Sequence, residues 1–238
     1  MKICVFTDNS YIFEGFTALL PRFPEHTFDF FYSPWNSAFS PRENFRPLRL
    51  KAQDSAFYDS YDMFLSLHSK QLFPDALVET RPCFNVHPGL NPHNRGWFPQ
   101  VFSIINGLPA GVTIHKMDTE LDHGPVLWQE ELAIRAEDTS RDVYLRILAK
   151  ELELLDRHLG DLLTGNYTLT PMPSEGNINY KSDFDALCRI DREEAATYGA
   201  VIDRLRALTH APYENAYFLD EDGKKVYVGI TLRKEDET

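Results

Sequence analysis

Short, mostly apolar runs punctuate the first part of the chain: KICVF at the start, then runs within HTFDFFYS, DMFLSLHSK, CFNVHP and GVTIHKM. A strand with one face in water alternates apolar and polar side chains. Runs like these belong instead to a sheet covered on both faces. Helix-patterned segments fall between them: IFEGFTALL, PDALVETRP and FPQVFSIINGL. The opening order of strand, polar turn (TDNSY) and helix is how an α/β domain begins. The pattern predicts a Rossmann-like, mostly parallel sheet with helices on both faces. Residues 36–56 are polar and read as a loop with a helical piece.

The clearest helix is TSRDVYLRILAKELELLDRHLGDLLTG. Thr139 and Asp142 have the spacing of a capping box. Val143, Ile147, Leu148, Leu152 and Leu155 form an apolar stripe at helical spacing, and Gly165 supplies a stop. The Pro-, Ser- and Gly-containing stretch NYTLTPMPSEG follows, and the domain boundary is placed there. The expected division is residues 1–165 and 166–238. In the second part, Asp191 and Glu194 are spaced to cap a helix in REEAATYGAVIDRLRALT, with Ala195, Tyr198, Val201, Ile202, Leu205 and Leu208 on one face. AYFLDEDGKKVYVGITLR reads as a hairpin turned at Asp222-Gly223. This small α+β piece is too short for a large core of its own and is expected to lean on the first domain or on a second subunit.

A net charge of −12 repels polyanions, so a nucleic-acid polymer is not an expected partner. No apolar run is long enough to read as a membrane span. Cys4, Cys83 and Cys188 are odd in number and widely spaced, and no signal peptide precedes the first strand. A reduced, cytoplasmic setting fits these features. Among His87, His93, His115 and His123 there is no H-x-x-x-H spacing and no accompanying Cys, so no metal is expected. G-x-G-x-x-G and a P-loop are both absent.

The stretch CFNVHPGLNPHNRGW carries the chemistry. Residues two apart on a strand share a side, so Asn85 and His87 project together from the strand's end. Pro88, Gly89, Asn91, Pro92, Asn94 and Gly96 then break regular structure. The pair is thereby left at the carboxyl edge of a parallel sheet, where open α/β folds bind ligands. A neutral His can take a proton, and an Asn N–H can stabilise an oxyanion. Acyl transfer to an amine needs both. A carboxylate to orient the His is available at Asp122, in MDTELDHGPVL.

FNVHPGLNPHNRG, about 25 residues ahead of GVTIHKMDTELDHGPVLWQ, resembles the formyltransferase fold family, whose signature is Asn-x-His after a strand, then Gly-Val-Thr-Ile and Leu-Asp-x-Gly. The likeness covers most of residues 1–165. It implies catalysis by Asn85, His87 and Asp122 with N10-formyltetrahydrofolate as formyl donor. Within the family, PGLNP at Pro88–Pro92 departs from the HASLLP type of the tRNA enzymes. The longer stretch looks most like the N-formyltransferases of nucleotide-linked amino sugars. That likeness implies a dTDP-amino-dideoxyhexose as acceptor, in synthesis of bacterial O-antigen or another surface polysaccharide. The amine is placed at C-4 by resemblance, with C-3 as the alternative. A homodimer through the C-terminal piece is a family-style expectation.

Residues 68–74, HSKQLFP, correspond to a loop that helps hold folate in the family. Leu72, Phe73 and Pro74, with Asp118 and Asp122, are the expected folate contacts. Lys70 and Arg95 are candidates for the diphosphate. Asn94 and Trp97 sit in the site loop and are assigned to the substrate, with Trp97 either walling the sugar pocket or simply anchoring the loop. Tyr213 and Tyr217 could stack on a base or form the core of the small domain, and the core is the favoured place for Tyr217. Two other functions compete: a hydrolase passing the formyl group to water, and a non-catalytic folate- or nucleotide-binding protein.

Overall fold

The computed structural model describes residues 1–235. Its main sheet has seven strands: β1 (Lys2–Thr7), β2 (Thr27–Tyr32), β3 (Phe45–Pro47), β4 (Met63–Leu67), β5 (Cys83–His87), β7 (Ala110–Lys116) and β8 (Val126–Leu132). They lie in the order β3-β2-β1-β4-β5-β7-β8. The first five run parallel, whereas β7 is antiparallel to both β5 and β8. The two-residue β6 (Arg95–Gly96) lies outside this sheet and pairs with β9 (Ile178–Asn179).

Both faces of the sheet are covered, as the continuous apolar runs require. On one face Ile3 and Val5 of β1 pack with α1 (Ser10–Leu19), α4 (Pro99–Asn106) and α5 (Ser140–Thr164). On the other, Cys4 and Phe6 meet Tyr58 of α2 (Ser55–Asp59) and Leu77 and Val78 of α3 (Asp75–Thr80). Alternate residues of one strand thus feed two separate cores.

α5 forms as its sequence dictates. Thr139 accepts from the Asp142 N–H while Asp142 accepts from the Thr139 N–H, and Gly165 ends the helix in the left-handed region. Of the expected stripe, Val143, Ile147, Leu148 and Leu155 are buried, and Leu152 is half-buried against the same cluster.

The remaining elements are α6 (Lys181–Cys188), α7 (Tyr198–Leu208), β10 (Thr209–His210), β11 (Tyr213–Glu214), β12 (Tyr217–Leu219) and β13 (Lys225–Tyr227). The hairpin β12–β13 turns at Asp222-Gly223, with Gly223 at φ 75°. The expected cap at Asp191–Glu194 is a local turn instead. Thr197 caps α7, its hydroxyl accepting from the Ala200 N–H. The chain from residue 189 to residue 197 therefore contributes no helix. β3, β8 and α6 are additions to the sequence reading. The apolar residues this C-terminal part does bury, Cys188, Ala207, Leu208 and Ala216, join the cluster that includes α5.

Candidate active site

β5 delivers Asn85 and His87 to the carboxyl edge, and its antiparallel neighbour β7 places His115 opposite Asn85. The loop between β7 and β8 brings in Asp122, whose backbone is left-handed at φ 48°. Gly124 lets that loop fold tightly: a Cβ there would overlap the carbonyl oxygen of Lys116.

The Asp122 carboxylate is the hub. Its Oδ1 accepts from Asn85 Nδ2 at 2.9 Å and lies 3.6 Å from His115 Nε2. Its Oδ2 accepts from the Gly96 N–H at 3.1 Å and faces His87 Nδ1 at 3.4 Å. The backbone carbonyl of Asp122 accepts from Asn91 Nδ2 at 2.8 Å, and that of Leu121 accepts from Arg95 at 3.2 Å. The carboxylate is only 9% exposed. Burial alone would raise its pKa, but His87, His115 and the Gly96 N–H together outweigh burial and hold it below the usual carboxylate range.

His87 is also buried, and burial pushes its imidazole down to about 4 against the pull of Asp122. Asp122 does favour the charged ring, but burial outweighs it, and at neutral pH the ring is neutral. With Nδ1 turned to the carboxylate, the geometry assigns the proton to Nδ1 and leaves the Nε2 lone pair free. Nε2 is buried without a hydrogen-bond partner. Gly89 makes room for it, since a Cβ at that position would lie 2.5 Å from Nε2. Asn85 gives one of its amide protons to Asp122 and keeps a second for a ligand.

The other expected residues scatter. Leu72 is exposed and Pro74 half-buried at the start of α3, but Phe73 is buried in the core, its ring edge-on to Phe6 at 5.7 Å. Phe73 is therefore withdrawn as a folate contact. Asp118 accepts from the backbone N–H of Glu120 and pairs with His123 at 2.8 Å. Asn94 is fully buried and bonded to Ser103, Asn106, Asn177 and Asn179. It ties the site loop to the C-terminal part and offers no surface to a sugar. Arg95 is buried too, holding Leu121, so its diphosphate assignment gives way to a supporting one. Lys70 and Trp97 are exposed.

Tyr213 and Tyr217 part company. Tyr217 is half-buried in its hairpin with the Lys225 ammonium 4.0 Å from its ring centre. Tyr213 is 69% exposed and ends an aromatic series through His210 and Tyr144 to His68. Asn91, Gly96 and His115 join the site as supports of Asp122 that the sequence does not announce. Asn91 and Gly96 carry only turn chemistry in the sequence, and His115 has only its place in the GVTIH strand.

A carboxylate-held neutral imidazole with a free nitrogen, beside an amide donor at the carboxyl edge of an α/β sheet, is an acyl-transfer site. Residues 48–159 match the family model described as Formyl transferase, and residues 183–234 match N-formyltransferase dimerization C-terminal domain. A dTDP-4-amino-4,6-dideoxyglucose formyltransferase of Mycobacterium tuberculosis is 50% identical over 177 residues, 74% of this chain and 76% of the relative. A 4-N formyltransferase structure from Francisella tularensis is 43% identical with a TM-score of 0.94, covering 98% of each chain. A sugar N-formyltransferase structure from Shewanella sp. is 40% identical with a TM-score of 0.94, covering 99% of each. The chain belongs to the formyltransferase family, and it is an N-formyltransferase.

Proposed function

We propose that the protein moves the formyl group of N10-formyltetrahydrofolate to the C-4 amine of dTDP-4-amino-4,6-dideoxyglucose. The observation that carries the chemistry is the unpartnered Nε2 of His87, held beside Asn85 by the Asp122 carboxylate. The choice of acceptor rests on the likeness to the mycobacterial enzyme.

The neutral amine attacks the formyl carbon. The developing oxyanion takes the second Asn85 N–H, a donor whose loss costs about 3 kcal/mol in such sites. His87 Nε2 accepts the proton that the attacking nitrogen sheds and delivers it to the departing folate nitrogen. A transient imidazolium is stabilised through Nδ1 by Asp122. The folate itself is assigned to the exposed edge of residues 68–74, with Leu72 and Pro74, and to the loop carrying Asp118 and Asp122. Lys70 and Trp97 remain candidates for the nucleotide and sugar, with Tyr213 at the far end of the aromatic series.

We also assign a homodimer through the C-terminal part. Tyr198, Val201 and Ile202 leave an apolar stripe of α7 exposed, in the segment that matches a dimerization domain. A cytoplasmic setting suits three free, buried cysteines. Surface-polysaccharide synthesis is the expected use of the product.

Turnover with N10-formyltetrahydrofolate tests the reading, comparing dTDP-4-amino-4,6-dideoxyglucose, 3-amino counterparts and no acceptor. Tetrahydrofolate release that depends on the 4-amino sugar supports it. Preference for a 3-amino sugar moves the amine, and equal release without acceptor makes the protein a hydrolase.

A further inference from the structure

A second imidazole–carboxylate pair stands beside the first. β4 pairs in parallel with β5, its last residue Leu67 opposite Val86, so His68, the residue after β4, leaves the sheet beside the strand that carries His87. His68 Nε2 lies 2.6 Å from Oε2 of Glu151, in the middle of α5. The Glu151 side chain is fully buried, while His68 keeps 11% of its side chain open. The other carboxylate oxygen, Oε1, is buried with no hydrogen-bond partner. The backbone of His68 is left-handed at φ 60°, a costly conformation outside glycine that gathers at functional sites.

A fully buried carboxylate with one hydrogen-bonded partner is a poor structural device. Apolar side chains of similar volume would fill that place at least as stably. Burial raises the Glu151 carboxyl pKa, and His68 opposes the rise. The pair stands one strand away from the acyl-transfer imidazole. His87, held neutral by burial, is poorly placed to keep a proton delivered before the attack begins.

Resting on the acceptor reading above, we infer that His68, backed by Glu151, contacts the acceptor amine and removes the proton that prevents its attack. An aliphatic amine near neutral pH is largely ammonium, which has no lone pair to offer. In the step, one ammonium N–H bond breaks and its electron pair stays on nitrogen. A new N–H bond forms at His68 Nδ1, and the imidazolium's Nε2–H rests on the Glu151 carboxylate. The proton passes to water before the next turnover. His87 then handles only the proton that travels to the folate nitrogen. The side chains against His68 are Glu151 and Tyr144 of α5, with His87 one strand away on β5, Lys70 two residues on, and the Asp8 N–H donating to its carbonyl. Asp8 is engaged by Ser33, Asn36 and the Lys70 N–H. Asn9 donates to the Tyr144 hydroxyl, and His210 lies behind the Tyr144 ring.

The test is kcat/KM for dTDP-4-amino-4,6-dideoxyglucose at saturating N10-formyltetrahydrofolate, from about pH 6 to about pH 9, in wild type, Glu151→Gln and His68→Gln. In Glu151→Gln the side-chain amide oxygen still accepts from Nε2 but cannot carry the charge. The expected result is a deficit of about a hundredfold at about pH 7 to 8, where an imidazole is free to accept and the amine is still largely protonated, that narrows toward about pH 9 as solvent deprotonates the amine. A deficit equal at every pH, or none, overturns the inference and reduces the pair to packing. If melting curves show Glu151→Gln to be misfolded, the His68→Gln profile decides by the same criterion. A wild type inactive on every amino sugar overturns the acceptor reading and this inference with it. An active wild type whose variants show a flat deficit overturns the inference alone.

Discussion

The α/β body and the C-terminal part solve the problem of burial differently. In the body, β1 alone sends Ile3 and Val5 to one core and Cys4 and Phe6 to another, all fully buried. In the C-terminal part, α7 buries Ala207 and Leu208 against the body but leaves Tyr198 90% exposed, with Val201 and Ile202 beside it. The helices of the two regions, α5 and α7, have similar apolar spacing. Periodicity therefore reports that a face wants cover, and it does not report whether the cover comes from the same chain.

The comparison can be broken most sharply inside the body. Asp122→Asn should leave the sheet intact and lower kcat about a thousandfold, since it removes the charge that holds His87 and weakens the support of Asn85. Circular dichroism and turnover on one sample check this. Gly89→Ala should cost about a hundredfold in kcat, because the new methyl displaces His87 Nε2 without removing any catalytic group. Leu155→Ala, in the fully buried stripe of α5, should destabilise by about 2–5 kcal/mol in urea denaturation.

Acid sharpens the contrast further. The folded-state pKa of His87 lies below its unfolded value of 6.5. The stability from keeping the ring neutral is present above about pH 6.5 and is lost as pH falls toward about 4, up to about 3 kcal/mol in all. His87→Gln should flatten that part of the stability–pH curve. The smallest effect on the fold belongs to the exposed face of α7. Ile202→Asp should change stability of the monomer by no more than about 0.5 kcal/mol, yet should convert a dimer to a monomer in light scattering. An unchanged mass would show that this stripe is not the dimer contact.

Much of the body was legible because doubly covered strands are long apolar runs. β8 was not, because VLWQEEL places Gln129, Glu130 and Glu131 at a sheet edge, where polar side chains are tolerated and the run resembles a loop. β3 is three residues ending in Pro47, too short to show a period. α6 buries only Cys188 and has little apolar patterning to find. Asp191 and Glu194 had the right spacing, but the intervening chain turned locally and Thr197 took the capping role. In the site, Asn85, His87 and Asp122 could be named from local sequence and family likeness. The polar ring around Asp122 could not, because Asn91, Gly96 and His115 reach it only through tertiary approach. Asn94 and Arg95 looked like ligand contacts because polar residues in a turn usually face water, whereas here both are buried under the loop they hold.

α5 runs for 25 residues, about 37 Å of continuous helix. Ser140 at its start bonds His210, Tyr144 meets His68, Glu151 reaches beneath the site, and Leu159 and Leu162 are buried in the core beyond. These contacts share one rotational phase. Insertion of a single residue between Tyr144 and Glu151 would turn everything after it by about 100° and swing the carboxylate away from the histidine. Length variation among related chains should therefore be absent from this helix and concentrated in the stretch from 166 to 176, where a longer or shorter connection alters no phase.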